Sequence, residues 1–151
     1  AFRTMAHSLL PYCNIVHSTG RHSEERISPI EGYYASSFLD ADMPLACAAA
    51  DVVVCRGGMG TLAECAHLRL PCIVVPLPMS AQVKNAEYLA SRGGIFVVSQ
   101  DNALTTALQD ACVRLFTHPE ERMRLGARLS EAVPTDDGTS MVRQLIDMGC
   151  L

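Results

Sequence analysis

The apolar positions change period along the chain. Near the start, Phe2, Met5, Ala6 and Leu9 recur at helical spacing, so the chain opens on a predicted helix with no strand or cap before it. Residues 14–18 (NIVHS) read as a short strand, residues 19–31 as a polar loop, and residues 33–39 as a weaker strand. Asp40 and Asp42 are expected to cap a helix that carries Pro44 in its first turn and runs through LACAAA to residue 50. Residues 51–55 (DVVVC) then read as a buried strand.

Beyond this point the alternation is regular. A helix is predicted from Thr61 to about Leu68, a strand over 72–76, a helix over 82–92 stopped by Gly93 and Gly94, and a strand over 95–98. Continuous apolar strands alternating with helices predict an α/β fold: a parallel sheet with helices on both faces. The rest is helical. Leu104, Leu108, Ala111, Cys112 and Leu115 form one face of a first tail helix, and Leu125, Leu129 and Ala132 a face of a second, after Pro119. A last helix is predicted from near Gly138, with Met141, Leu145 and Met148.

The 151 residues amount to one domain of ordinary size, 1–151, with no repeat or linker. Hydrophobic residues make up 49% and charged residues 19%, and no apolar run approaches the roughly 20 residues that span a bilayer, so a soluble domain is expected. A net charge of -4 argues against a general nucleic-acid or anionic-membrane surface, and an anionic ligand would need a local positive site. The seven cysteines are odd in number and form no C-x-x-C pair, which favours free thiols in a reducing cytoplasm. The five histidines are scattered without ligand spacing, so no structural metal is expected. The start carries no signal-peptide pattern.

The chemistry centres on CRGGMGTLAE, residues 55–64, between a predicted strand and a predicted helix. It admits three readings. Thr61-Leu-Ala-Glu64 fits a capping box, and the glycines would then serve only a tight turn. Gly58-Met-Gly60-Thr-Leu-Ala63 satisfies G-x-G-x-x-G/A, but the following strand runs into PLPMS without the carboxylate that a dinucleotide's ribose requires, and about fifty residues of domain precede the motif.

The third reading joins this turn to Gln82 and Asn85, which share a face at the start of the next helix. Two helix N-termini would then face one crevice. One offers N–H groups to phosphate and the other offers amides to sugar hydroxyls. Arg56 adds fixed charge, and Glu64 has acceptors only, suited to the two hydroxyls of a ribose. Arg21 and Lys84 read as solvated cations.

The run ADVVVCRGGMGTLAE (50–64), then LPCIVVP (70–76) and QVKNA (82–86), strongly resembles the C-terminal, donor-binding domain of MurG-type glycosyltransferases of glycosyltransferase family 28. That resemblance spans nearly the whole chain. It implies a GT-B architecture, with the active site between two Rossmann-like domains. It also implies UDP-N-acetylglucosamine as donor, a lipid-linked acceptor of peptidoglycan synthesis, an N-terminal acceptor-binding domain or subunit as partner, no cofactor or metal, and a cytoplasmic parent enzyme peripheral on the inner membrane face. By it, Glu64 binds ribose, the turn Gly57, Gly58, Met59, Gly60 and Thr61 lies against the diphosphate, and Gln82 and Asn85 read the sugar; Ser37-Phe38-Leu39-Asp40 resembles the segment whose backbone contacts the uracil ring, with Phe38 and Leu39 at the matching places.

The family's domain begins with a strand ending in a G-G-S-x-G-A-type turn, which is not found here, so a first strand is expected to be missing and the chain to be a fragment. The segment between Pro76 and Gln82 also looks compressed. No catalytic residue is assigned and no turnover is expected from this chain alone. The alternative is a non-catalytic donor-binding subunit of a split transferase. A UDP-sugar hydrolase or epimerase shares the fold but needs catalytic residues not identified here.

Overall fold

The computed structural model describes residues 2–20, 30–133, 139, 143 and 146–148. Its elements follow the order α1 (Phe2–Leu9), β1 (Ile15–Ser18), β2 (Tyr33–Ser36), α2 (Met43–Ala49), β3 (Val53–Cys55), α3 (Met59–His67), β4 (Cys72–Val74), α4 (Ala81–Ser91), β5 (Ile95–Val97), α5 (Leu104–Thr117) and α6 (Pro119–Ala132). Arg21 and the residues Met141 and Leu145 of the predicted last helix lie outside the described residues. Met148, placed on that helix from the sequence, is exposed.

All strand pairs are parallel. The strands form two sheets, β1–β2 and β3–β4–β5, rather than one continuous sheet, and each of β1 and β3 has a single strand neighbour. β4 is therefore central and fully buried, while β3, expected as a buried strand, is an edge and only half-buried. Alternation along β4 divides the core. Ile73 and Val75 face a cluster with Met5, Leu9, Leu108, Cys112 and Leu115, whereas Cys72 and Val74 face Leu62, Cys65, Ala86, Leu89 and Leu129. Helices thus cover both faces, α1 and α5 on one side and α3 and α4 on the other, as the uninterrupted apolar strands require.

The two tail helices bury the predicted faces. Leu108, Cys112, Leu115, Leu125 and Leu129 are all buried. Between them Glu121, itself buried, accepts two hydrogen bonds from the Arg114 guanidinium, each 2.7 Å. The Arg114 hydrogen bonds hold the Glu121 carboxyl below the usual carboxylate range, against burial.

Asp40 and Asp42 do not cap α2 with their side chains. The residues 40–42 form a single 3-10 turn in front of the helix, so the N-cap Asp42 is already helical in φ and ψ and makes no side-chain cap bond. Pro44 does occupy the first turn. Among the described residues, no helix is long and apolar enough to cross a membrane.

Candidate site at the carboxyl ends of the sheet

Two strand-to-helix junctions meet beyond β3 and β4. The first is the glycine turn. Gly57 has φ of +86°, a conformation that a Cβ disfavours, and a Cβ there would lie 2.9 Å from Cγ1 of Val74. The chain reverses at this residue and α3 begins at Met59, two residues earlier than predicted, with Gly58 as its N-cap.

That shift removes the capping box. Thr61 falls at the third helical position and Glu64 well inside the helix, with no side-chain bond to the cap. The first bond along the helix runs from Leu62 N–H to Gly58 C=O, so the N–H groups of residues 59–61 lack intrahelical partners. Gly58 and Gly60 have no atom within 4 Å of where a Cβ would stand. Packing within the described chain gives neither position a reason to be glycine.

The second junction is the loop from β4 into α4, built by Ser80 and Gln82. Ser80 Oγ donates to Leu77 C=O and accepts from Gln82 N–H, capping α4. Gln82 Oε1 accepts from Leu77 N–H at 2.9 Å. The tight segment between Pro76 and Gln82 is thus closed on itself, with Met79 at φ +57° and fully exposed.

The junctions are tied together directly. Asn85 Nδ2 donates to Gly57 C=O at 3.2 Å, and a Cβ added at Gly57 would stand 3.7 Å from the carbonyl oxygen of Gln82. Since Asn85 points its amide nitrogen inward and Gln82 its oxygen, the other halves of the two amides remain: an acceptor on Asn85 and donors on Gln82. Both residues are half-buried.

Glu64 is exposed, and among the described residues its carboxylate has no hydrogen-bond partner or ion pair. It lies on the α2 side of α3: the Cys47 thiol of α2 is raised mainly by burial, then by the nearby Cys65 and Glu64. Residues 37–40, which lead into α2, hold Phe38 and Leu39. Their burial is opposite: Leu39 is 8% exposed and Phe38 46%, so Leu39 fills core and Phe38 presents its ring outward. Met59 and Thr61 are exposed at the start of α3, and Lys84 is exposed as predicted.

Arg56 has a partner that sequence reasoning missed. Its Nη1 donates to Gln100 Oε1 and, at 3.3 Å, to Val75 C=O. Gln100 carries no motif, and only the proximity of the β3 and β5 ends could have pointed to it.

Just behind the turn, the neighbouring Cys72 thiol, opposed by burial and aided by the Gly57 backbone, holds the Cys55 thiol below its ordinary range, while Cys72 Sγ itself donates to Leu70 C=O at 3.5 Å. Six cysteines, Cys13, Cys47, Cys55, Cys65, Cys72 and Cys112, are free thiols, and Cys150 lies outside the described residues. Among the described residues, no group of three or more His, Cys, Asp or Glu is placed to hold a metal ion.

A family model described as the glycosyltransferase family 28 C-terminal domain matches residues 5–135. A UDP-N-acetylglucosamine–N-acetylmuramyl-(pentapeptide) pyrophosphoryl-undecaprenol N-acetylglucosamine transferase of Desulfotalea psychrophila is 31% identical over 97% of this chain and 42% of its own length. The Thermus thermophilus protein of the same description is 38% identical, over 77% of this chain and 34% of its own. Among solved structures, the MurG of Acinetobacter baumannii is 28% identical, with a TM-score of 0.54 over 77% of this chain and 33% of that one. A kitacinnamycin glycotransferase shares the fold with a TM-score of 0.76 at 24% identity, over 97% of this chain and 38% of that one. The chain therefore spans about two-fifths or less of the length of these relatives.

Proposed function

This chain belongs to the glycosyltransferase family 28 C-terminal domain family, and we propose that it binds the UDP-sugar donor, UDP-N-acetylglucosamine, of an inverting glycosyltransferase that acts on a lipid-linked acceptor. The observation that supports this reading best is the bond from Asn85 to Gly57 C=O, which ties the two helix starts together.

The chemistry follows from what each group can still do. The unbonded N–H groups at the start of α3 face an anion with the positive end of the helix dipole, and Gly58 and Gly60 let a diphosphate approach the backbone. Charge that develops on the leaving UDP is stabilised by these fixed N–H groups. Glu64 accepts from the ribose hydroxyls, and the exposed ring of Phe38 lies beside the uracil, with Leu39 holding that segment to the core. Gln82 and Asn85 supply donors and an acceptor to sugar hydroxyls, which need both. A base from an acceptor-binding domain would deprotonate the acceptor hydroxyl. The relatives' printed names describe this transfer, and peripheral attachment of the parent enzyme to the inner membrane face agrees with it.

Calorimetric titration with UDP, UDP-N-acetylglucosamine and NAD tests the reading. UDP and UDP-N-acetylglucosamine should bind and NAD should not. Glu64→Ala should weaken UDP about tenfold or more, the worth of charged hydrogen bonds, while leaving the melting temperature unchanged because no cap is lost. Equal binding of NAD, or an unaltered UDP affinity in Glu64→Ala, would overturn it.

A further inference from the structure

Arg56 leaves the carboxyl end of β3, yet its guanidinium does not stay over its own strand. It reaches Val75 C=O, just past β4, and then the side chain of Gln100, in the loop that joins β5 to α5. The side chain thus crosses the carboxyl ends of all three strands of the sheet, beginning one residue before the Gly57 turn.

Both of its acceptors are neutral. Arginine has donors only, so the amide of Gln100 must turn its oxygen toward the guanidinium. A carboxylate at position 100 would make the stronger bond but would also neutralise the charge. The carboxylate next along the chain is occupied elsewhere: Asp101 Oδ1 accepts from Ala103 N–H at 2.8 Å and closes the turn into α5. A chain of net charge -4 therefore keeps a held cation one residue before the Gly57 turn that, among the described residues, no carboxylate cancels.

We propose that Gln100 is a positioning residue for the donor's diphosphate: a neutral clip that holds Arg56 across the ends of β3, β4 and β5 with its charge intact. This rests on the UDP-sugar reading above and adds to it a residue that contacts no ligand itself. The clip orders a long side chain in advance, so less rotamer freedom is lost when the anion arrives. Its contribution is confined to the charged part of the ligand, so uridine is indifferent to it and UDP is not.

The test is calorimetric titration of the chain with UDP and with uridine at low ionic strength, repeated in high salt. The parent protein should prefer UDP; if it does not, the donor-site reading fails and this inference with it. Given that preference, Gln100→Ala and the isosteric Gln100→Glu should each lower the UDP-to-uridine ratio roughly two- to fivefold, the scale of a partly exposed ion pair, with uridine affinity and melting temperature unchanged. The deficit should shrink in high salt. In an Arg56→Gln background, Gln100→Ala should have no further effect. A ratio unchanged in both Gln100 variants, or an equal loss with and without Arg56, would overturn the inference while leaving the donor site standing.

Discussion

Glycines serve opposite purposes at the two ends of this molecule. Where α6 packs beneath α3, a Cβ on Gly126 would stand 1.9 Å from the carbonyl oxygen of Arg69, which is itself left-handed at φ +53°. On Gly94 it would lie 3.0 Å from the Cα of Leu129. There, glycine makes room for protein. At the start of α3, Gly58 and Gly60 border open space, although glycine at the position of Gly60, inside the helix, is less favourable than alanine. The room is on the outside. Gly57 stands between these cases, needed for its φ and for the 2.9 Å approach to Val74 that a Cβ there would have, and bonded through its carbonyl to Asn85. A glycine cluster therefore says little until its surroundings are known; what separates packing from access is which atoms fill the missing side chain's place.

Substitution sharpens the contrast. The largest effect is expected at the rear. Gly126→Ala forces backbone apart on both sides and should cost about 3 kcal/mol or more, read from denaturant melts. Gly57→Ala comes next, with a loss of about 1–2 kcal/mol from its positive φ and the Val74 contact, together with reduced UDP binding as the Asn85 bond is displaced.

Glu121→Gln also acts at the rear, and its effect depends on pH. The folded carboxyl lies below its unfolded value, so its contribution is fully present above the ordinary carboxylate range and disappears as pH falls through the lower folded value. The gap in melting temperature between parent and variant should close over that acid window; a gap constant with pH would contradict the assigned ion pair. The smallest effect on folding is expected at the front. Gly60→Ala should leave stability unchanged or raise it by up to about 1 kcal/mol, yet weaken UDP. Were Gly60→Ala to destabilise the fold as Gly126→Ala does, the contrast between the two ends would fail.

Much of this arrangement was legible in the order of residues. Apolar strands alternating with helices declared a parallel sheet, since only a strand buried on both faces has no polar alternation; Ile73 and Val75 on one face and Cys72 and Val74 on the other fulfil it. The pairing of the glycine turn with Gln82 and Asn85 was visible as two helix starts, each following a strand. The capping box was not reliable. A Thr three residues before a Glu is a cap only if the helix begins there, and α3 begins at Met59 because Gly57 turns the chain sooner. The aspartates ahead of α2 misled for the same reason: a 3-10 turn had already brought Asp42 into helical geometry.

What the chain's order determined by itself was therefore the kind of element at most places and the residue types on offer: the sheet strands, the glycine turn, a carboxylate and two amides. What only the tertiary structure decided was which groups meet. Asn85 reaches Gly57 across 28 positions, Arg56 reaches Gln100 across 44, and α6 presses Gly126 against Arg69. Periodicity and capping act over a few residues and leave a local trace, but contacts between distant segments depend on strand register and helix packing. Those are settled only when the whole core closes.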